Sequence, residues 1–481
     1  MYDIVILGGG PAGVTAALRA RELGATVALI ERGNMGGTCT NDGCVPTRVL
    51  AKAARLMRDS KQFADYGLLL DKPPQVDFAT ALQRTQHIVY QIQEKKQLLD
   101  HLDHVKVETF SRAGDASFID PYTVQIKGGQ LIKGQRFVLC VGGSARRLPV
   151  PGANHALLHS DVWQMDKLPD SVVIVGGGAT GCQLASIFNA FGAHVTLLDI
   201  APQILLSEDQ LVAQSVSEEL KAHGINVITG IETLVRIDLH NNQKRLVYKH
   251  NGNEQSLITD EVVLSVGWPG NVNKLNLAAA GVDTERNYIK VDDYLQTSAP
   301  HIYAAGDITG KMMLVQSAGS QARVAAENAL LGSKRKDEHK LVPHGGFTDP
   351  EYGGVGLTEA QAREQGDPIV AVVPYADMDR AVIDGHPVGF CKLIIDRNTK
   401  LVIGAHVVGE QAVEVVSMVA ASIAGKLTID QVAEIEFAYP TFAAIVGLAA
   451  REIQRVLGSV SIAPEWRDLG QLRGAEWERK D

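Results

Sequence analysis

The sequence Asp3-Ile4-Val5-Ile6-Leu7 runs straight into Gly8-Gly9-Gly10-Pro11-Ala12-Gly13. A helical stretch follows to about Leu23, then Gly24 and the apolar run Val27-Ala28-Leu29-Ile30, closed by Glu31. The same order returns at Val172-Val173-Ile174-Val175, Gly176 to Gly181, and Val195 to Asp199. The interval from first glycine to acid is identical in both copies, Gly8 to Glu31 and Gly176 to Asp199. Glycines at Gly8, Gly10, Gly13 and at Gly176, Gly178, Gly181 let the backbone approach a pyrophosphate. The helix N-terminus behind them favours its charge, and Glu31 or Asp199 is placed for ribose hydroxyls. A chain built twice on this device is α/β, with two Rossmann-like (doubly wound) nucleotide-binding domains and two dinucleotides to hold.

At 481 residues there is room for about three domains. A formal charge of −9 with no long basic run argues against a nucleic-acid partner. No apolar run reaches the roughly 18 residues of a membrane helix. The first apolar segment passes directly into a glycine turn, so no signal peptide is expected. Five cysteines in so long a chain do not make a secreted disulfide scaffold. Cys140, Cys182 and Cys391 lie singly among apolar residues and read as small buried hydrophobes. The expectation is a soluble cytoplasmic protein.

Cys39 and Cys44 are different. Val45, Val49 and Ala53, with Arg48 and Lys52, follow them at helical spacing. Five residues of ideal helix rise about 7.5 Å, beyond the roughly 7 Å Cα separation of a disulfide. The pair can bridge only if the helix start is distorted. Gly43 permits unusual dihedrals and Pro46 disturbs the first turn. A thiol at a helix N-terminus is also favoured as thiolate. Ordinary buried thiols or half a metal site are the rival readings. No third or fourth cysteine stands nearby for a closed zinc site, and no metal is expected.

Gly36-Gly37-Thr38-Cys39 and Cys44-Val45-Pro46-Thr47-Arg48 resemble the active site of the class I pyridine nucleotide-disulfide oxidoreductases, which include glutathione reductase, lipoamide dehydrogenase and mercuric reductase. Thr297 to Asp307 resembles that family's second FAD fingerprint. Phe347 to Glu351 and Val355 to Glu359 resemble the opening of its interface domain. The resemblance spans residues 1 to 457. It implies FAD on the first glycine unit, contacted by Gly37, Thr38 and, at the ribitol chain, Asp307. It implies a nicotinamide dinucleotide on the second. Cys44 would be the thiol nearer the flavin and Cys39 the exchange thiol. A C-terminal α+β dimerisation domain would make a homodimer whose last segment enters the partner's active site. The implied boundaries are 1–152 (FAD), 153–270 (NAD(P)), 271–339 (return to the first domain) and 340–457 (interface), with a charged tail over 458–481 carrying Trp466 and Trp477. Asp199, with no Arg or Lys from Ile200 to Ser207, favours NAD(H) over NADP(H).

The pattern also departs from the family. Tyr439 and Ala444 replace the His and Glu that serve disulfide reductases as acid–base and orienter. A phenol with a pKa near 10 is a poor base at neutral pH. Arg48 stands for the usual Lys, and Gln183 for the Glu that pairs with it, so an obligate cation faces a neutral amide. Mercuric reductases share the Tyr but carry a further cysteine pair near the C-terminus, whereas no cysteine follows Cys391 here. Soluble transhydrogenases share it but usually lack the second cysteine. The expected activity is FAD-dependent NAD(P)H oxidation through Cys39, Cys44, Arg48 and Tyr439 to a small-molecule acceptor other than a typical disulfide: a quinone, a metal ion, dioxygen or nicotinamide. A transhydrogenase, a disulfide reductase with an unusual acid–base, and a non-catalytic redox sensor are the alternatives. Further expected elements are helix from Ser60 to about Gln97, short strands within Val105–Ile126, Gln130–Val141 and Val262–Gly267, helix from Gln316 to Leu331, strands at Lys392–Ile395 and Leu401–Val408, and helices at Ala412–Ala424 and Thr441–Val456.

Overall fold

The computed structural model describes residues 1–332, 334–338 and 341–458; the charged tail beyond 458 lies outside them. The chain divides into two units. The first is Met1–Ser207, Val216–Val342 and Gly346–Asp349, and the second holds Glu208–Ser215, Pro343–Gly345 and the chain from Pro350.

The first unit begins with β1 (Tyr2–Leu7), α1 (Pro11–Glu22) and β2 (Val27–Ile30). Ile4 to Leu7 and Val27 to Ile30 are buried throughout, as expected of parallel strands covered on both faces. Then come α2 (Gly37–Asn41), α3 (Cys44–Asp59), α4 (Phe78–Lys96), α5 (Leu98–His104), β3 (Val107–Phe110), the antiparallel β4 (Ser117–Asp120) and β5 (Thr123–Gln125), and β6 (Leu131–Leu139). Strand order is β3-β2-β1-β6-β5-β4, and a late strand also joins β6. The first-sheet register pairs Leu7 with Ile30 and with Leu139. The parallel strands therefore end level, and Gly8, Glu31 and Cys140 leave the same edge of the sheet, where α/β proteins bind ligands.

The second nucleotide unit repeats the plan with β7 (Leu157–Leu158), α6 (His159–Val162), β8 (Ser171–Val175), α7 (Ala179–Ala190), β9 (His194–Leu198), α8 (Gln210–Ala222) and β10 (Asn226–Ile228). An antiparallel sheet follows, β11 (Thr233–His240), β12 (Gln243–His250) and β13 (Asn253–Thr259), and then β14 (Glu261–Leu264). The order β10-β9-β8-β14-β7 is parallel throughout. After a small β15–β16 ribbon (Thr284–Glu285, Tyr288–Ile289), β17 (Ile302–Ala304) returns to the first sheet beside β6, and α9 (Val315–Leu331) follows.

The remaining elements are β18 (His344–Gly346), β19 (Tyr352–Gly356), α10 (Glu359–Gln365), β20 (Pro368–Pro374), α11 (Asp379–Ile383), β21 (Phe390–Asp396), β22 (Val402–Val408), α12 (Ala412–Ala424), α13 (Ile429–Ala433) and α14 (Ile445–Val456). Their sheet runs β18-β19-β22-β21-β20, the α+β layer expected of an interface domain. Among the described residues no helix is long and apolar enough to cross a membrane.

Two expectations need correction. Ser60 to Gln97 is not one helix. A 3-10 turn ends at Tyr66, helix resumes only at Phe78 with Asp77 accepting from the Thr80 N–H at 3.0 Å, and Gln97 at φ 42° ends it. Pro73-Pro74 in the gap removes two backbone donors and disfavours helix before it. The expected helix from Thr441 begins as a 3-10 turn, Phe442–Ala444, and becomes α14 at Ile445.

Candidate active site

The two glycine cradles share their local geometry. Gly8 has φ 105° and Gly176 φ 109°, and a Cβ on either would sit 2.2 Å from a carbonyl just past a strand end, that of Cys140 after β6 or Ser265 after β14. A Cβ on Gly13 or Gly181 would lie 1.7 or 1.8 Å from the carbonyl of Gly8 or Gly176. These positions exclude any side chain. Gly10 and Gly178 are open by comparison, leaving room in front of the first free N–H groups of α1 and α7. Glu31 accepts from the Gly9 and Gly33 N–H groups at 2.6 and 2.7 Å, and Asp199 from those of Gly177 and Ala201.

The cysteine turn packs on the first cradle. Gly37 has φ 61°, and a Cβ there would lie 2.7 Å from the Cα of Gly10. Cys39 belongs to α2 and Cys44 opens α3, so the distortion at the helix start is a break at Asp42 and Gly43 between two helices. Gly43's carbonyl accepts both the Thr47 N–H at 3.1 Å and the Thr47 hydroxyl at 2.8 Å. α4 holds α2 from the other side, through Gln93 to Asn41 at 2.7 Å and Lys96 to Thr40 at 3.0 Å. Trp163 donates its indole N–H to the Asp42 carbonyl at 2.7 Å.

The two thiols shift each other, and in opposite directions. Cys39 draws Cys44 down to about 7, against burial and Asp307, with help from the backbone N–H at the head of α3. Cys39 is pushed up by Cys44 and by burial, while Lys96 pulls it the other way. Cys44 is the exposed member and the natural thiolate.

Cys44 lines an open groove of about 770 Å³ with Val45, Val49 and Ala53 of α3, Ile88 and Ile92 of α4, and Phe347; Arg48, Lys52 and Arg84 add cations to it. Arg48 and Gln183 meet through Phe347. The Arg48 guanidinium stands 4.0 Å over the Phe347 ring, and the Gln183 Oε1 accepts from the Phe347 N–H at 3.2 Å. Arg58 of α3 binds Asp349 at 2.6 Å, anchoring the same segment. Phe347 and Trp163 went unnoticed as site residues in the sequence. A buried indole with a donor to satisfy was the available signal for Trp163.

Asp307 follows β17 on the same sheet edge as Gly8. Burial pushes its carboxyl up, and the Trp268 indole donates to it at 3.0 Å. Gly306 N–H is held by Gln321 at 2.7 Å. Ser317, in the first turn of α9, has a buried hydroxyl with no hydrogen-bond partner among the described residues. An open pyrophosphate cradle, a ribose-side acid and an unused buried hydroxyl fit a flavin dinucleotide. Tyr439 belongs to the second unit. It is 76 % exposed, and its hydroxyl donates to Asp379 at 2.6 Å, a contact that raises its pKa.

Models of the pyridine nucleotide-disulphide oxidoreductases match residues 2–322, and the dimerisation domain of the same proteins matches residues 342–466. The chain belongs to the class I pyridine nucleotide-disulfide oxidoreductase family. It is 32 % identical over 464 residues to a mercuric reductase of Lysinibacillus sphaericus, covering 96 % of this chain and 84 % of that one. It is 32 % identical over 445 residues to a dihydrolipoyl dehydrogenase of Bacillus subtilis, covering 91 % and 95 %. The HOCl-induced flavoprotein disulfide reductase RclA from Escherichia coli has a similar structure, with a TM-score of 0.83, 28 % identity and coverage of 94 % and 99 %. A Cu(II) complex of RclA gives a TM-score of 0.82 at the same identity. As a member of this family the protein is a flavin-dependent oxidoreductase with a dimerisation domain.

Proposed function

We propose that the protein is a homodimeric, FAD-dependent reductase that passes electrons from NADH, in preference to NADPH, to a thiophilic divalent metal ion such as Hg(II) or Cu(II), with Cys39 and Cys44 as the working pair. The thiol pair carries the proposal. Two thiols flank one short turn and shift each other, and the more acidic one is exposed. A disulfide substrate needs a proton delivered to its leaving sulfur. Here the residue at the usual imidazole position is a tyrosine whose phenol is tied to a carboxylate. A metal ion gripped by two thiolates has no such need. The likeness to mercuric reductases and to a protein solved as a Cu(II) complex supports the choice of acceptor. No distal cysteine pair follows Cys391 in this sequence, so the exposed Cys44 would meet the metal directly.

Bound FAD would accept hydride from the nicotinamide and pass an electron pair onward. The Gly8–Gly13 cradle, Glu31 and Asp307 would hold it; Gly176–Gly181 and Asp199 would hold the nicotinamide dinucleotide. The balance is NADH + Hg(II) → NAD⁺ + Hg(0) + H⁺, and two Cu(II) ions are reduced to Cu(I) per hydride. In FAD-loaded enzyme, NADH oxidation with thiol-buffered Hg(II) or with Cu(II) should reach roughly 1–100 per second. Lipoamide and glutathione disulfide should give no rate above background. The opposite ranking would overturn the metal assignment.

Arg48 offers a second expectation. Its charge favours the anionic reduced form of a flavin, and Gln183 supplies no carboxylate against it. Gln183→Glu keeps an acceptor for the Phe347 N–H and adds a negative charge near Arg48. The flavin midpoint should fall by about 30–60 mV. Spectroelectrochemical titration reads this directly, and an unchanged or higher midpoint would refute it.

A further inference from the structure

α6 and the residue that follows it have no part in the chemistry above, yet they reach the turn between the two cysteines. Trp163, 6 % exposed, bonds the Asp42 carbonyl at 2.7 Å. His159, also buried, lies near the same residue, and the two shift each other electrostatically. The His159 ring lies 5.3 Å from that of Trp268, whose indole donates to Asp307. His159 of α6 and Trp163 just after it thus lie between the turn and the acid at the sheet edge.

The Asp42 carbonyl needs a donor from outside. A helix running through the turn would supply one from residue 46, but that residue is Pro46, which has no N–H. α2 has already ended at Asn41. The next carbonyl, Gly43, is satisfied twice by Thr47. With the Asp42 carbonyl held by Trp163 and that of Gly43 by Thr47, the Asp42–Gly43 and Gly43–Cys44 peptides are both fixed.

We propose that Trp163 is a positioning residue for the thiol pair: its indole N–H fixes the Asp42–Gly43 peptide so that the Cys39 thiol meets the Cys44 sulfur. The inference rests on Cys39 and Cys44 being the working pair, not on the identity of the acceptor. The groups facing Cys44 are Cys39, Asp307 and the N–H at the head of α3; those facing Cys39 are Cys44, Lys96 and Asp307. His159 and Arg32 face Asp42 instead. Of these, Cys39 lowers Cys44 most, so a loosened turn should raise Cys44 toward an ordinary thiol.

Trp163→Phe keeps the ring and removes the N–H. In reduced, FAD-loaded protein, alkylation of Cys39 and Cys44 can be followed separately by mass spectrometry across pH. The lower of the two midpoints should rise by about one pH unit toward the roughly 8.5 of a free cysteine. FAD content and thermal midpoint should stay near wild type. An unchanged midpoint would make Trp163 a packing residue and overturn the proposal. A second readout needs no variant: in the wild-type protein the Trp163 indole N–H resonance should move when Cys44 is alkylated, and a stationary resonance overturns the proposal equally. A failed metal assay beside an intact midpoint shift would count against the metal assignment alone.

Discussion

Replacing Cys44 by serine should lower metal-dependent NADH oxidation by about 10³-fold or more, while FAD binding and flavin reduction by NADH persist. The serine hydroxyl cannot ionise near neutral pH and is a hard, poor ligand for a thiophilic ion. Cys44 is the exposed sulfur and the one drawn down to about 7 by its partner. Wild-type activity should therefore climb as pH rises through about 7, where the thiolate forms, and fall away below it. Cys39→Ser leaves Cys44 present but removes the thiol that holds it down, so residual activity should show its rise at higher pH. Steady-state rates from about pH 5 to 9, with flavin reduction measured separately by stopped flow, check both statements. If Cys44→Ser keeps more than a tenth of the wild-type rate, electrons leave from the flavin without passing through sulfur, and a quinone, oxygen or nicotinamide acceptor takes precedence.

What could be read in advance was whatever the backbone itself enforces. Gly8 and Gly176 adopt φ values that L side chains rarely take, and Gly13 and Gly181 press on carbonyls with no room for a Cβ. That demand writes itself into sequence as spacing, and it did so twice. The cysteines were legible for a similar reason, because residues 37 to 47 answer local needs. Their surroundings were not. Trp163 lies 121 residues from Asp42 and Gln183 lies 164 from Phe347, and no periodicity connects such pairs. The Arg48 and Gln183 departures were visible one by one. Phe347 between them was not, since a ring stacked on a guanidinium looks in sequence like any apolar residue. Reading Ser60 to Gln97 as continuous helix failed for a different reason: amphipathic spacing on either side outweighed Pro73-Pro74.

Lys392→Met should destabilise the protein by about 3–5 kcal/mol, the usual cost of leaving a buried carboxylate without its partner. Lys392 sits mid-strand in β21 with its side chain 5 % exposed. It contacts Asp209, 3 % exposed, at 2.7 Å and Glu359 at 2.8 Å. Asp209 also accepts from the Glu359 N–H at 3.1 Å and the Leu211 N–H at 3.1 Å. Burial alone would raise the Asp209 carboxyl, but the lysine and the Glu359 N–H outweigh it and hold it below its ordinary value; the lysine lowers Glu359 likewise. In the wild type this contribution is present above the unfolded carboxyl range, about pH 4, and is lost as pH falls through the lower folded values. Without the lysine, burial dominates and the folded Asp209 pKa should rise above its unfolded value. The variant then gains relative stability by taking up a proton on folding, so its deficit should shrink between about pH 7 and pH 5. Asp209→Asn added to Lys392→Met removes the stranded charge and should recover part of the loss, making the double variant less unstable than the two single changes combined. Urea unfolding at both pH values reads all three quantities. A deficit that is constant with pH, or strictly additive in the double variant, would mean that the lysine stem's packing, not its charge, is what the strand requires.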